Sequence, residues 1–266
     1  MTNNTLKIKI LLEGDSMDKG TSLATRIIEK TLDESVKLEI AELLKEATTY
    51  TYEKPDFSSD IMLFLPRISE EQLLTLKGYS GLNSKKINAL LRDNWNYEEH
   101  GRKREEDEQR INEDIFIIDE LIDLYPPTKK AFITYRGTTL DSLKKYGIED
   151  IDSLIYLKGK YLYEEGYSST SIDEKESYFN KEILGKMNNI EIKYIIPPNS
   201  KDGIPLTSDD LSYSPNQQEY LIERNSLSKV IDISTSGTTT VITALLIPKS
   251  IWNKNIKSNN KNEVKK

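Results

Sequence analysis

The sequence predicts an α+β fold, and three observations carry that expectation. Up to Pro126 the chain carries helix signals, with apolar residues near helical spacing and a capping box at Ser69–Gln72. Beyond Pro127 the texture changes to short runs of β-branched and aromatic residues separated by turn clusters. No internal repeat interrupts this order of helices first and strands later.

The elements follow along the chain. A short strand is expected at Lys7–Leu12. A helix over roughly Ser22–Ala47 comes next, with Leu23, Ile27, Val36, Ile40, Leu43 and Leu44 forming an apolar stripe. That stripe must bury its face somewhere, which favours a packing layer; docking of a delivery partner is the alternative for residues 1–66. "DIMLFLP", ending at Pro66, reads as a second short strand. Ser69 then opens a helix with Gln72 three residues on, and Gly78 and Gly81 break it. "NSKKINALLRDN" begins the next helix, capped by Asn83 or Ser84, and a long charged helix around residues 98–125 ends at Pro126. The strand candidates are "AFITYRG", "LIYLKGKYLYEEGYSSTS", "IEIKYIIPPNSKDG", "QEYLIERNS", "SKVIDISTSG" and "TTTVITALLIP". The expected organisation is an extension at 1–66, a main domain at 67–248 and a Lys/Asn-rich, disordered tail at 249–266.

Composition narrows the chemistry. With 266 residues, 36% hydrophobic and 30% charged, the chain suits a soluble globular protein with a real core. No apolar run approaches the ~18 residues a membrane span needs, and Glu13 and Asp15 close the N-terminal apolar run too early for a good signal peptide. There is no cysteine, so thiolate chemistry and disulfides are excluded. The single histidine, His100, lies in the charged run "NYEEHGRKREEDEQR", a solvated face, and one His excludes the usual zinc cluster. The net charge is −7, and the tail from Lys249 holds six Lys against one Glu, +5, leaving −12 for the rest. An acidic body is a poor match for nucleic acid. Carboxylates, Arg, Ser/Thr, Tyr and amides are what remain for chemistry.

Four motifs use those residue types. "YRG" puts Arg136 at the end of a strand, "YSSTS" puts Ser169, Thr170 and Ser171 on another, and "QQE" sets Gln217 and Glu219 ahead of a third. In an extended chain Gln217 and Glu219 point the same way. In "INALLR", Asn88 and Arg92 are four residues apart and share a helix face, so both can reach one ligand.

An Arg on a first strand, Ser-Thr-Ser on a second and a Gln-x-Glu before a third resembles the Arg-Ser-Glu class of bacterial mono-ADP-ribosyltransferase toxins. Within it the match is to the clostridial Rho-modifying exoenzymes, whose NAD-binding helix "INALLR" also resembles. The resemblance spans roughly residues 69–248. It implies two packed, mainly antiparallel sheets around an NAD cleft with a helical layer in front, and NAD as substrate without a metal. It implies Glu219 facing the ribose 2′-hydroxyl and the oxocarbenium-like cation of glycosidic cleavage. Ser169 would hold that carboxylate, Thr170 and Ser171 would support strand and pocket, and Arg136 and Arg92, with Asn88, would take the pyrophosphate. Phe179 falls where the exoenzymes place an aromatic over nicotinamide, although Asn180 and Lys181 stand where they often carry an Arg.

Gln217 carries the implied specificity. In the resembled pattern Gln pairs with an acceptor amide, chiefly an Asn of a Rho-type small GTPase, whereas Glu goes with acceptor Arg, as in actin-modifying toxins. A neutral amide cannot deprotonate a guanidinium. Tyr213 would contact the protein acceptor. The place of action would be a host cytosol, after secretion or delivery. The competing expectations are the same fold modifying Arg or a nucleobase, and a silent copy serving as a binding domain.

Overall fold

The computed structural model describes residues 22–92, 104–177 and 190–253. Lys7–Leu12, His100, Phe179 and most of the basic tail therefore lie outside the described residues.

The helix expected over 22–47 is two helices, α1 (Leu23–Thr31) and α2 (Glu34–Ala47). Leu32 is extended and Asp33 starts α2 afresh, its carboxylate accepting from Val36 N at 2.9 Å. A local cap thus overrides a stripe that runs on across the break. The apolar run expected as a strand at "DIMLFLP" is a helix instead, α3 (Ser58–Phe64). Asp56 accepts from Ser58 N at 2.9 Å just before it. Ile61 and Phe64 then turn inward while Met62 and Leu63 stay exposed, a spacing that only a helix gives. The capping box forms as read: Ser69 and Gln72 bond reciprocally at the start of α4 (Glu70–Gly78). After it comes a wide π turn over Tyr79–Asn83, with Gly81 out of helical geometry, and then α5 (Ser84–Leu91). The charged helix is α6 (Arg104–Leu124).

Among the described residues eight strands follow: β1 (Phe132–Thr138), β2 (Tyr161–Glu164), β3 (Ser168–Ser171), β4 (Ile190–Ile196), β5 (Gly203–Leu206), β6 (Glu219–Ile222), β7 (Ser226–Ser236) and β8 (Thr239–Ile247). Their order is β2-β7-β8-β4-β1-β3-β6-β5, antiparallel except for β4 beside β8. In place of two separate sheets they make one ladder, whose five-strand and three-strand parts meet at β1–β3 through the single pair Tyr135↔Ser171. Phe132 of β1 meets Tyr220 of β6 edge-on at 5.1 Å, so the two parts also pack together through side chains.

The five-strand part is covered on both faces. Ile192, Tyr194, Ile242 and Ala244 join the main core with α4–α6, while Ile195, Leu245 and Ile247 face Val36, Ile40 and Leu43 of α2. Burial on both faces explains why β4 and β8 read as nearly continuous apolar runs. The start of the basic tail is folded: Lys249–Trp252 forms a helical turn and Trp252 is buried with the α2 layer.

Phe57, ahead of α3, stacks on Tyr220 at 5.9 Å and meets Phe132 at 5.6 Å, bridging the two parts of the sheet. Phe57→Ala should cost about 3–5 kcal/mol of unfolding free energy, read as a lower urea midpoint. An unchanged midpoint would show that the bridge does not join the two parts.

Candidate active site

The Ser-Thr-Ser strand is a template for the motif beside it. β3 pairs with β6, setting Ser171 opposite Glu219 and Thr170 opposite Tyr220. Each hydroxyl takes a different partner. Ser169 lies beside the Glu219 carboxylate and pulls its pKa down, Thr170 Oγ1 donates to Tyr220 O at 2.6 Å, and Ser171 Oγ donates to Gln217 O at 2.8 Å. The Thr170 and Ser171 hydroxyls are thus committed to the backbone on either side of Glu219.

Gln217 and Glu219 do share a cleft, though not through a pleat. Pro215–Gln217 is a 3₁₀ turn, Gln218 is left-handed at φ 50°, and β6 begins only at Glu219. The Gln218 side chain closes the turn by donating to Pro215 O at 3.1 Å. Gln217 is left exposed at the rim while Glu219, 7% exposed, sits at the base.

The cleft, about 740 Å³, also takes in Asn88 and Arg92 of α5, Arg136 of β1 and Tyr79 of the π turn. Asn88 Oδ1 accepts from Tyr167 N at 2.8 Å, and its Nδ2 donates to the Tyr79 hydroxyl at 3.0 Å. Arg92 Nε donates to Glu164 at 2.8 Å, and Arg92 Nη2 to Tyr167 O at 3.3 Å. Arg136 Nη1 donates to Ser169 O at 3.2 Å, tying the Arg strand to the Ser strand. Gly166 lets these groups converge: a Cβ there would stand 2.7 Å from Asn88 Oδ1 and 3.0 Å from Arg92 Cζ.

The charges are arranged in opposition. Burial pushes the Glu219 carboxyl up to about 7, against the Ser169 hydrogen bond and the Arg136 charge, which pull it down. Burial would also raise Glu164, but Lys145, Arg92 and Arg136 outweigh it and hold that carboxyl below its ordinary range. Among the described residues no group of three or more His, Asp or Glu is placed to hold a metal ion. A buried carboxylate facing two guanidinium groups across a polar cleft suits a ligand that carries an anion at one place and develops positive charge at another.

Sequence reading missed several of these groups. Tyr79 carries no motif signal, because only the π turn brings it to the cleft. Glu164, Gly166 and Lys145 lie in or beside the quoted strand runs, yet the ion pairs that make them matter join residues 72 and 20 positions apart. Tyr213 is 64% exposed, and its ring would lie 3.2 Å from a Cβ on Gly81; Leu82 beside it is 89% exposed. Phe179 lies outside the described residues.

Two outcomes are expected. A carboxyl raised from 4.5 to about 7 by folding holds its proton in the fold while the unfolded chain ionises. Stability tied to Glu219 is thus full below pH 4.5 and lost as pH rises to about 7, by about 3 kcal/mol. Glu219→Gln should therefore gain stability over wild type between pH 5 and pH 8 in paired thermal melts; a pH-independent difference would contradict this. Gly166→Ala should raise the KM for the ligand on the order of tenfold with a smaller change in kcat, by displacing Asn88 and Arg92.

Comparison with known proteins agrees with the architecture. A family model described as an ADP-ribosyltransferase exoenzyme matches residues 36–250. Among solved structures, C3stau2 from S. aureus with NAD is 20% identical, with TM-score 0.56, over 75% of this chain and 99% of that one. The Clostridium limosum C3 exoenzyme is 22% identical, with TM-score 0.53, over 74% of this chain and 97% of its own. The C2-I component of the Clostridium botulinum C2-toxin is 21% identical, with TM-score 0.53, over 74% of this chain and 47% of its own. These likenesses show a shared fold. A search of curated proteins found no match. On the family match across most of its length, the chain belongs to the ADP-ribosyltransferase exoenzymes, NAD-dependent mono-ADP-ribosyltransferases.

Proposed function

We propose that the chain transfers ADP-ribose from NAD to a side-chain amide of a protein, an Asn rather than a Gln, on a Rho-type small GTPase. The observation that carries this reading is Gln217 at the rim of the cleft that holds Glu219. An amide there can donate to and accept from an acceptor amide, but it cannot take a proton from an acceptor Arg.

Arg92 and Arg136 hold the diphosphate, with Asn88 beside them. The bond between ribose C1′ and the nicotinamide nitrogen breaks, and nicotinamide leaves neutral with the bonding electron pair. The ribose carries positive charge at that moment. Glu219, accepting from the 2′-hydroxyl, stabilises that charge, with Ser169 beside it to keep the carboxylate in place. The acceptor amide nitrogen then attacks C1′ and gives a proton to solvent. The cationic substrate favours the ionised carboxylate, so NAD binding itself opposes the burial that raises Glu219. Tyr213, exposed with Leu82 on the same rim, offers the acceptor an apolar contact. Phe179 is proposed to cover the nicotinamide.

We place the transferase domain at residues 67–248, with Phe57, Ile61 and Phe64 packed into its core from the extension. Membership of an exoenzyme family supports secretion or delivery into a host cytosol, and the exposed Leu38 of α2 offers residues 1–66 an apolar contact for a delivery partner. No helix among the described residues is long and apolar enough to cross a membrane.

Labelled NAD with purified Rho-type GTPase or actin tests this reading. Wild type should label the GTPase and release nicotinamide. Glu219→Gln should lose both by about 10²–10³-fold or more, and Gln217→Glu should keep nicotinamide release while losing GTPase label. Label on actin alone would move the acceptor to Arg. Neither label nor nicotinamide release from wild type would overturn the enzyme reading in favour of a silent binding domain.

A further inference from the structure

Away from the cleft, α6 shows the solvent an acidic face with an aromatic ring at its middle. Gln109, Glu113, Phe116, Glu120 and Asp123 recur at steps of four and three, so they form one stripe along the helix. All five are exposed, Phe116 at 62%. Glu71 of α4 stands across from the first half of the stripe and, with Glu108, closes a groove of about 690 Å³ against Phe116 and Ile117. Three Glu line that groove and, among the described residues, no Lys or Arg does. A large exposed ring gains from being covered, and the carboxylates around it favour a cationic cover.

The chain itself brings such a segment to the stripe. Asn253, where the described residues stop, lines a cleft of about 630 Å³ together with Asp123, the last residue of the stripe. The exit point is fixed on both sides: Trp252 is buried with the α2 layer, and Lys249 N donates to Asp202 Oδ1 at 2.9 Å. Residues 254–266 follow, with five Lys against one Glu. At ~3.3 Å per residue an extended chain covers about 10 Å by Ile256 and about 26 Å by Lys261. At ~1.5 Å per residue of helix, Phe116 lies about 10 Å from Asp123 and Glu108 about 22 Å. Ile256 thus falls level with Phe116, Lys257 with Glu113 and Lys261 with Glu108.

We propose that residues 254–266 dock along α6, antiparallel to it, with Ile256 on Phe116 and the lysines along the acidic stripe. The docking is independent of the transfer reaction. It makes the basic segment a cover for an interaction surface, one that a basic, apolar-anchored segment of another protein could take only by displacing it. The short tether favours the chain's own segment, because it holds the lysines beside the stripe at high effective concentration.

The sequence holds no Cys, so a pair of introduced thiols reports the contact. Asn112 is exposed on the same face, about 16 Å from Asp123 along the helix, and Ser258 lies about 16 Å beyond Asn253 in an extended chain. The full chain carrying Asn112→Cys and Ser258→Cys is oxidised with glutathione disulfide at low protein concentration. Closure is followed on non-reducing gels and by mass. The reference pair is Leu38→Cys with Ser258→Cys, because Leu38 is exposed on α2, which covers the other face of the sheet. The Asn112 pair should close roughly tenfold faster than the reference. Glu113→Lys with Glu120→Lys should bring it down to the reference rate, and Phe116→Ala should slow it as well; all three positions are exposed, so the fold is kept. Equal rates for the two pairs, or a rate that ignores both the charge reversal and the loss of the ring, would overturn the docked segment. Disulfides that join two molecules instead would also overturn it and assign the face to a second copy of the chain.

Discussion

Burying a carboxylate is the constraint around which this molecule is organised. A carboxylate taken out of water acts more strongly on a nearby cation, yet burial alone would protonate Glu219. The structure answers with a hydroxyl and a positive charge brought from two separate strands. β3 supplies Ser169 and β1 supplies Arg136. The one pair that links the two parts of the sheet, Tyr135↔Ser171, lies directly beside Arg136 and the serine strand. Where the sheet is joined is therefore also where the carboxylate is neutralised.

The neighbouring packing follows from that need. The five-strand part is clamped between two apolar layers, which leaves little freedom to the strand that carries Arg136. Gly166 permits α5 to approach so closely that Asn88 reaches the backbone of Tyr167. Glu164 holds Arg92 by its Nε and accepts from Gly166 N at 3.1 Å, so the guanidinium is oriented before any ligand arrives. Asp119 receives three bonds from the Arg224 guanidinium and one from the Tyr167 hydroxyl, anchoring the far side of the same network to α6. Prior orientation of this kind lowers the entropy that binding must overcome.

Stability and chemistry pull against each other at Glu219. A carboxyl whose ionised form is disfavoured by burial weakens the fold at neutral pH. Gln217, by contrast, stays at the exposed rim, where a change of side chain alters what is recognised at little cost to the core. The exposed amide and the buried carboxylate are thus two residues apart in the chain, with the left-handed Gln218 between them.

Sequence alone determined much of this. The α+β class, the capping box, the helix bearing Asn88 and Arg92, and the strands bearing Arg136, Ser169 and Glu219 were all legible, because each depends on local spacing and residue type. What failed locally failed for a stated cause. "DIMLFLP" is too short for its period to separate strand from helix, and the stripe over 22–47 hides the cap at Asp33. The shared orientation of Gln217 and Glu219 was expected from a pleat and arises from a 3₁₀ turn instead. The tertiary structure decided the rest: Tyr79, Gly166, Glu164 and Lys145 matter through partners distant in sequence, 9 residues away for Tyr79, 20 for Lys145 and 72 for Glu164. No local pattern encodes such a meeting, because it exists only once the π turn, the joined sheet and α5 have packed together.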